Sequence, residues 1–524
     1  MDFIEKAIGA ILPQVAFKRE VARKKLKMIN NSGYSNHGAS YSKKSLQGWI
    51  HRGGAPEEDI DNNIKTLRER SRDLYMGTPI ATGALKTLRT NVVGSGLKLK
   101  SNIDYEFLKL SEDEADKLEA TIEREFSSWA ESVSCDMARL NDFYELQQLV
   151  FLSHLMCGDA FVLLPFKKRI GMIYDLRIQL IEADRVCTPP DKVNDIKISG
   201  GVECDEHGEI IAYYISKFHP LSSRANYPNE WDRIQAFGEK TGRRNILHLM
   251  ESERIGQRRG VPILAPVIES LKQLSRYTEA ELMAAVVSGM FTVFIESPAQ
   301  TNEDPILSSA IPYDDEIDSD NEDSYELGNG NIVELSEGEK ANTASPGRPN
   351  VAFDGFVNAI CRQIGSALEI PHDLLLKQFN ASYSASRAAL LEAWKMFKMR
   401  RQWLANDFCQ PIYEEWMCEA VARGRIYAPG FFDSPIIRRA YCKADWNGPT
   451  QGQLDPVKEA NAAVIRVLNG FSTRAKETVE LTGGNFNENH RQRVKEEKMR
   501  QEIPQGTESK IIKEKDEANK NEED

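Results

Sequence analysis

A dense run of carboxylates is the first feature of the sequence that could do chemistry. The run contains Asp314, Asp315, Glu316, Asp318, Asp320, Glu322 and Asp323. Carboxylates of this kind bind Ca²⁺ in helix–loop–helix sites when they occupy fixed alternate positions around a central glycine, with a closing glutamate. The stretch 314–320 has no glycine, so the pattern favours a solvated acidic loop over a metal site.

Other residue patterns that could support catalysis are incomplete. Gly238-Glu239-Lys240-Thr241 resembles the end of a phosphate-binding loop, but the upstream glycine and the preceding apolar strand are absent. His154, His248 and His372 are isolated, and no Gly-x-Ser-x-Gly elbow accompanies them. His248 lies in an apolar stretch and is interpreted as a packed core histidine. We therefore assign no catalytic residue, metal ligand or cofactor, and expect no enzyme.

Composition limits the classes of protein to which the chain can belong. The 524 residues are 41% hydrophobic and 28% charged, with a formal net charge of -12. A protein that wraps DNA tightly normally carries a basic excess, so this balance argues against such binding. The eight cysteines form no Cys-x-x-Cys pair, which is typical of reduced thiols in a cytosol. No signal peptide, transmembrane helix or membrane partner is expected.

The first half of the chain reads as an arm followed by a mixed domain. Residues 1–58 combine a short amphipathic start, a basic run and a Ser/Asn/Gly-rich piece, which predicts a flexible arm. Residues 59–260 alternate helical and strand patterns. The predicted helices are 61–76, one that starts at Pro79 and ends at Gly94, 112–131 and 140–156. The predicted strands are 161–164, a half-exposed 174–180, the hairpin 202–204 with 210–215, and 246–249.

The second half contains two helices on either side of a small β segment. Apolar spacing predicts helices over 262–288 and 353–368, and strands over 291–295 and 331–335. Pro371 ends the second helix, a polar break follows, and a long helix runs from near Ser384 to about Gly424. Its aromatic residues have helical spacing, which favours core or subunit packing over stacking on bases; they are Trp394, Phe397, Trp403, Phe408 and Trp416.

The C-terminal region predicts one capped helix and a polar tail. Asp455-Pro456 is expected to open a helix that Gly470 closes. Residues 489–524 are almost wholly charged or polar and are predicted to be disordered.

Four blocks resemble the portal proteins of lambda-type tailed bacteriophages. One block is Ile370–Lys377 followed by Tyr383–Trp394. The other blocks are Thr78–Ala84 leading into Asn91–Gly96, then Arg258–Val267, and finally Asp455–Glu459. They occur in the family's order over most of the chain. None of these motifs is catalytic, so the resemblance concerns architecture and assembly.

The resemblance implies a ring-forming portal fold of the α+β, mainly helical class. Its implied parts are a wing domain (59–260), a stem helix (261–290), a clip with the acidic loop (291–350) and a second stem helix (351–372). A channel loop (373–386), a long wing helix (387–424) and a crown (425–488) would follow, between the arm (1–58) and the tail (489–524).

The resemblance also implies a function and a set of partners. A homo-oligomeric ring, expected to be a dodecamer, would pass double-stranded DNA at one capsid vertex during packaging and ejection. The large terminase subunit, a head–tail adaptor and the major capsid protein would dock on it. We expect the protein in the virion at the portal vertex, and in the host cytoplasm during assembly.

Two groups of residues are candidate sites within this interpretation. The channel loop would bring Lys377, Gln378, Asn380 and Tyr383 close to DNA. Lys377 could equally serve to stabilise the end of the preceding helix. The acidic loop on the clip would dock the motor or adaptor through Asp314, Asp315, Glu316, Asp318 and Asp320.

Two alternatives remain open at this point. A metal-dependent nuclease would need carboxylates held about 4 Å apart on rigid elements. A capsid or scaffold protein without a channel would need neither a ring nor a hole.

Overall fold

The structure is a computed structural model that describes residues 53–222, 230–289, 293–296, 340–343, 352–379, 382–452 and 455–502, with a few helical residues between 14 and 46. The chain divides into two compact units, Met1–Asp59 and Ile60–Asp524. In the first unit, the described pieces include one short 3₁₀ turn, Lys44–Leu46. The sites discussed below lie in the second unit.

Helices dominate the second unit, and short antiparallel sheets lie between them. The helices are α1 Asn62–Gly77, α2 Pro79–Val92, α3 Tyr105–Leu108, α4 Glu112–Ala130, α5 Phe143–Cys157, α6 Ile268–Gly289, α7 Phe353–Ala367, α8 His372–Leu376, α9 Tyr383–Leu404, α10 Gln410–Ala422, α11 Pro435–Tyr441, α12 Pro456–Leu468, α13 Arg474–Thr482 and α14 Phe486–Glu502. The strands are β1 Lys98–Ser101, β2 Asp159–Leu163, β3 Gln179–Ile181, β4 Ile198–Ser199, β5 Val202–Cys204, β6 Ile210–Ser216, β7 Trp231–Gln235, β8 Ile246–Met250, β9 Val293–Glu296, β10 Lys340–Thr343 and β11 Ala444–Asn447. This content agrees with the predicted α+β, mainly helical class. None of the described helices combines the length and apolar content that a bilayer crossing requires.

Aromatic side chains from the N- and C-terminal halves meet in one core. The ring of Phe126 on α4 lies edge-on to Tyr413 and Trp416 on α10, with centroid distances of 5.6 and 5.1 Å. Phe143 on α5 stacks on Phe408 at 5.7 Å. These rings are buried, which confirms the prediction that the aromatic stripe packs in the core.

The predicted long helix is present but changes its winding near its middle. Residues Ala405–Cys409 form a π-helical turn between α9 and α10. Pro411 follows directly, in the first turn of α10. Proline has no N–H to donate to the carbonyl of Asp407, and its ring would clash with that carbonyl in a regular helix. A local π turn is one way to absorb such a defect without ending the helix.

Two small sheets build the β part of the first half. The strands β3, β2 and β8 form one sheet in that order, and β4, β5, β6 and β7 form the other. The predicted hairpin is confirmed, because β5 pairs antiparallel with β6. The side chain of His248 on β8 is only 5% exposed and stacks on Phe161 at 4.3 Å, which confirms the prediction of a packed histidine.

The predicted half-exposed strand over 174–180 is wrong in extent and exposure. Regular pairing covers only Gln179–Ile181, while Leu176 and Ile178 make isolated bridges. In a strand with alternating exposure, Arg177 would lie on the polar, exposed face with Asp175 and Gln179, yet its side chain is buried. Its guanidinium donates to the carbonyls of Tyr174 and Leu176, at 2.8 Å each, so these two carbonyls bind an arginine of their own segment and not a partner strand.

Three other expectations differ from the structure in their limits. The helix expected from residue 262 begins as α6 at Ile268, after a 3₁₀ turn, because Pro262 and Pro266 lack backbone donors. The strand β9 pairs with β10, whereas the predicted strand 331–335 lies outside the described residues.

The tail was predicted to be disordered from 489, but α14 continues to Glu502. Its Glu, Lys, Arg and Gln residues favour a helix without a buried face, and Gln492 bonds Glu496 one turn away.

A buried charge cluster, here called the Asp159 cluster, consists of Arg68, Asp159 and Arg259. Arg68 Nη2 on α1 lies 2.8 Å from Asp159 Oδ1, and Arg259 Nε lies 2.6 Å from Oδ2. Burial alone would raise the pKa of Asp159, but the two guanidinium charges outweigh it and hold the pKa well below its usual value.

The same arginines also bind backbone carbonyls at the end of α5 and in the segment after β3. Arg68 Nε donates to the carbonyl of Cys157 at 2.9 Å. Arg259 donates to the carbonyls of Ala183 and Val186, at 2.8 and 2.6 Å. Removing one partner from a buried pair typically costs about 3–5 kcal/mol, because the other charge is left uncompensated. The cluster therefore fixes α1 against β2 and the loops that follow β3.

Candidate nucleic-acid interface

The helices on either side of the predicted clip pack against each other. Tyr277 on α6 contacts Phe353 and Phe356 on α7, with ring centroids 5.6 and 4.9 Å apart. The start of α6 is buried through Leu271 and Leu274. The two predicted stem helices are thus neighbours in the fold, and they return the chain to the point where the polar break begins.

The chain turns sharply at the end of α7, in a segment here called the elbow (Gly365–Pro371). Glu369 has a left-handed φ of 57°, and the N–H of Ile370 donates to the carbonyl of Gly365 at 2.9 Å. A Cβ on Gly365 would lie 2.6 Å from the carbonyl oxygen of Ile370. This approach requires glycine, so the missing side chain permits the elbow.

The short helix α8 is held on both sides after the elbow. Leu375 is buried, and His372 Nε2 lies 3.1 Å from Asn358 Oδ1 on α7. Ser386 Oγ on α9 donates to Asp373 Oδ2 at 3.4 Å. The single turn of α8 is therefore fixed by contacts with its neighbours, since such a short helix has little stability of its own.

The predicted DNA-facing residues begin where α8 ends. Lys377 closes the helix with a left-handed φ of 57°, and the N–H of Gln378 donates to the carbonyl of Asp373 at 3.0 Å. Lys377 and Gln378 are exposed side by side. Asn380 lies outside the described residues, and Tyr383 is the first residue of α9, with a side chain that is not described. Ser382 caps α9 by accepting from the N–H of Ala385 at 3.4 Å.

Phe379 is exposed beside this polar pair, and the sequence analysis did not assign it a role. Its side chain is 55% exposed. An aromatic residue within an otherwise polar break was the only signal that could have drawn attention to it. We call the exposed residues Lys377, Gln378 and Phe379 the α8 turn.

A buried arginine connects the elbow to α9 and β8. Arg400 on α9 lies 3.8 Å from Glu369 and 3.4 Å from Glu251, which follows β8. Burial lowers the pKa of the nearby His154 to about 4, and the charge of Arg400 adds to this effect. His154 is therefore neutral at neutral pH and packs against the ring of Trp403 at 4.5 Å.

In the described part of the chain, one cluster of acidic and histidine side chains has the spacing of a metal site. It consists of Glu182, Asp184 and His219. Arg72 Nη1 donates to both carboxylates, at 3.1 Å from Glu182 and in a shorter contact with Asp184. An arginine in this position satisfies the charge that a cation would otherwise neutralise, so the geometry fits an ion-pair network. The acidic residues Asp314, Asp315, Glu316, Asp318 and Asp320 lie outside the described residues.

One known protein family matches most of this chain. The sequence profile described as "Phage portal protein, lambda family" matches residues 42–401. The chain belongs to this family. The match runs from before α1 through the elbow and the α8 turn into α9, and it confirms the predicted family and its portal function in DNA packaging.

Individual portal proteins align over nearly the whole chain. Portal protein B of Escherichia phage lambda is 24% identical over 89% of this chain and 89% of its own. The portal protein of Escherichia phage N15 is 23% identical over 89% of this chain and 90% of its own. A chain in the solved neck of a native gene transfer agent particle is 12% identical over 80% of this chain and 93% of its own, with a TM-score of 0.41.

Replacing Gly365 with Ala should destabilise this portal protein. The new Cβ would push against the backbone carbonyl of Ile370, whose side chain is buried and cannot shift freely. We expect a loss of about 1–3 kcal/mol in the free energy of unfolding, measured with urea.

Gly355→Ala is the matched control for this substitution. Gly355 lies on the same helix, and a Cβ there would meet nothing within 4 Å. Stability should be unchanged or raised by up to about 1 kcal/mol, because alanine favours a helix. Equal effects of the two substitutions would contradict the role assigned to Gly365.

Proposed function

We propose that copies of this chain close into a ring of about twelve, with the α8 turns around a central channel for double-stranded DNA. In this arrangement α6 and α7 are the stem, residues 291–350 are the clip, α9 and α10 belong to the wing, and residues 425–488 form the crown. The ring occupies the portal vertex of the virion after assembly in the host cytoplasm.

The outer half of α6 supports the ring. Leu282, Met283 and Val286 are exposed on successive turns, although the described neighbour of this helix, α7, covers only part of it. A helix that is apolar around most of its circumference is normally buried. Adjacent copies in a ring would supply the missing cover.

The α8 turn supports the contact with DNA. Lys377 is exposed at the end of a helix that hydrogen-bonds to α7 and α9. These contacts fix the position of its backbone. One lysine per subunit would give a basic collar in a protein whose net charge is otherwise -12. Single phosphate contacts are modest and depend on salt. Such a collar can retain DNA without stopping its movement.

Replacing Lys377 with Ala should weaken the retention of packaged DNA without preventing ring formation. The loss follows from removing one phosphate contact per subunit, and it should be largest at low salt. The measurement is the fraction of full-length DNA that remains in particles after centrifugation. Lys377→Gly suits the left-handed backbone and should behave in the same way.

Lys395→Ala is the control for charge. Lys395 is exposed on α9 and pairs with Glu392 at 2.6 Å. DNA retention should be normal in this variant. Loss of rings on changing Lys377, or an equal loss of DNA from the control, would remove the proposed contact.

The acidic segment is proposed to dock the packaging motor and later the head–tail adaptor. Asp314, Asp315, Glu316, Asp318 and Asp320 would steer a basic surface of the partner towards the clip. The major capsid protein would surround the ring.

Deleting residues 312–326 should slow association with the large terminase subunit by about tenfold or more at low salt, because electrostatic steering acts on the association rate. The measurement is the association rate on immobilised rings over a series of salt concentrations. Docking at an unchanged rate, with an unchanged dependence on salt, would exclude the acidic segment as the docking site.

A further inference from the structure

An apolar turn projects from the wing between β2 and β3. The side chains of Phe166, Met172 and Ile173 are about half exposed, and Ile170 is 102% exposed. Water-exposed apolar groups carry a free-energy cost that burial against a partner would remove. Exposed apolar residues that adjoin one another commonly mark an interaction site.

The turn is held in one conformation by its backbone. The N–H of Met172 donates to the carbonyl of Arg169 at 3.2 Å, and Gly171 between them has a φ of 79°. That hydrogen bond and positive φ are typical of a type II turn, which places Ile170 at the first corner. The N–H of Arg177 donates to the carbonyl of Pro165 at 2.8 Å and closes the base of the loop.

Arg169 fixes the turn to a second loop. Its guanidinium donates to the carbonyls of Ser134, Asp136 and Met137, at 3.1, 3.0 and 2.8 Å. That loop also exposes Leu140. The two loops therefore present one preformed apolar surface, here called the finger patch; it consists of Val133, Leu140, Phe166, Ile170, Met172 and Ile173.

The finger patch continues into a groove. Arg243 lies over the ring of Phe166, with its Cζ 4.0 Å from the ring centroid. The groove beside it has a volume of about 1080 Å³ and also contains the rings of Phe237 and Phe432. Aromatic rings and arginines are enriched where proteins dock on one another.

The charge around the apolar turn of the finger patch is positive, whereas the adjoining groove contains glutamates (Glu414, Glu415 and Glu419) as well as arginines. Arg139, Lys167 and Lys168 flank the patch, and among the residues that the structure describes no carboxylate forms an ion pair with any of them. This is the opposite of the chain as a whole, which carries -12. A surface that complements the patch must therefore be acidic.

We propose that the finger patch docks into an apolar cleft rimmed by carboxylates on another protein of the particle. The occupant is a different protein and not a membrane, since the patch has neither Trp nor Tyr for a bilayer interface. A second copy of this chain is the alternative occupant, and the self-association measurement below decides against or for it. The inference does not depend on the DNA contact proposed for the α8 turn.

The experiment measures binding of a random glutamate–tyrosine copolymer to the purified full-length protein by fluorescence anisotropy. The copolymer stands in for an acidic surface with apolar groups. Wild-type protein should bind it, with an affinity that falls as salt rises. Ile170→Ser and the double variant Lys167→Glu/Lys168→Glu should each bind at least tenfold more weakly.

Lys65→Glu/Lys86→Glu is the control for net charge. Both lysines are exposed on helices, in α1 and α2. This variant should bind the copolymer at least threefold more tightly than the finger double variant does, at the same net charge. Unfolding midpoints equal to that of the wild type establish that each variant is folded.

Four results would overturn the proposal. The first is wild-type affinity of both finger variants, and the second is an equal loss in the control. The third is binding to phosphatidylglycerol vesicles, lost in Ile170→Ser, with no binding to the copolymer. The fourth is loss of self-association in the finger variants, which would make the patch a contact between copies. Failure of the wild-type protein to form rings would instead count against the proposed portal arrangement and leave this measurement valid.

Discussion

The close approach of the Ile370 carbonyl to Gly365 is the constraint on which the functional geometry depends. Because residue 365 has no side chain, α7 can end and reverse within a few residues. The reversal places α8 between α7 and α9, and it leaves the α8 turn as the exposed tip of three packed helices. The segment that we propose to contact DNA is thus carried by helices and not by a long loop.

The Asp159 cluster gives the first half of the chain a comparable rigidity. Charged groups are costly to bury, and here the cost is offset by mutual pairing and by hydrogen bonds to backbone carbonyls. The result is a frame in which a helix, a strand and several loops share one set of contacts. The finger patch is held by the same kind of interaction, because the guanidinium of Arg169 donates to loop carbonyls.

Local patterns in the sequence were sufficient for much of the fold. Proline after a capping residue placed the start of α2 at Pro79, and Asp455 caps α12 as predicted. The helices α6 and α7, and the polar break after them, followed from apolar spacing and from Pro371, whereas their arrangement as neighbours was implied by the family resemblance. Helix starts, helix ends and polar breaks depend on residues that are close in sequence, so they can be predicted from a single sequence.

Features that depend on distant residues were not visible in the sequence. Asp159 is 91 positions from Arg68 and 100 from Arg259, and no local pattern links them. The projection of Ile170 has the same origin, because its neighbour Arg169 donates to carbonyls of the distant loop 134–137. The burial of Arg177 was missed although its carbonyl partners, Tyr174 and Leu176, are close to it in sequence. Of the candidate site, Lys377 and Gln378 are exposed, and their contact with DNA stays a prediction, whereas the exposed Phe379 was missed.

The central claim is that identical chains surround an axis, with the stem helices packed between copies and the α8 turns facing inwards. Electron microscopy of the purified full-length protein tests this most directly. The account predicts closed rings with a central hole wide enough for double-stranded DNA. A particle that stays a single subunit at every protein and salt concentration, or a closed assembly without a hole, would contradict it.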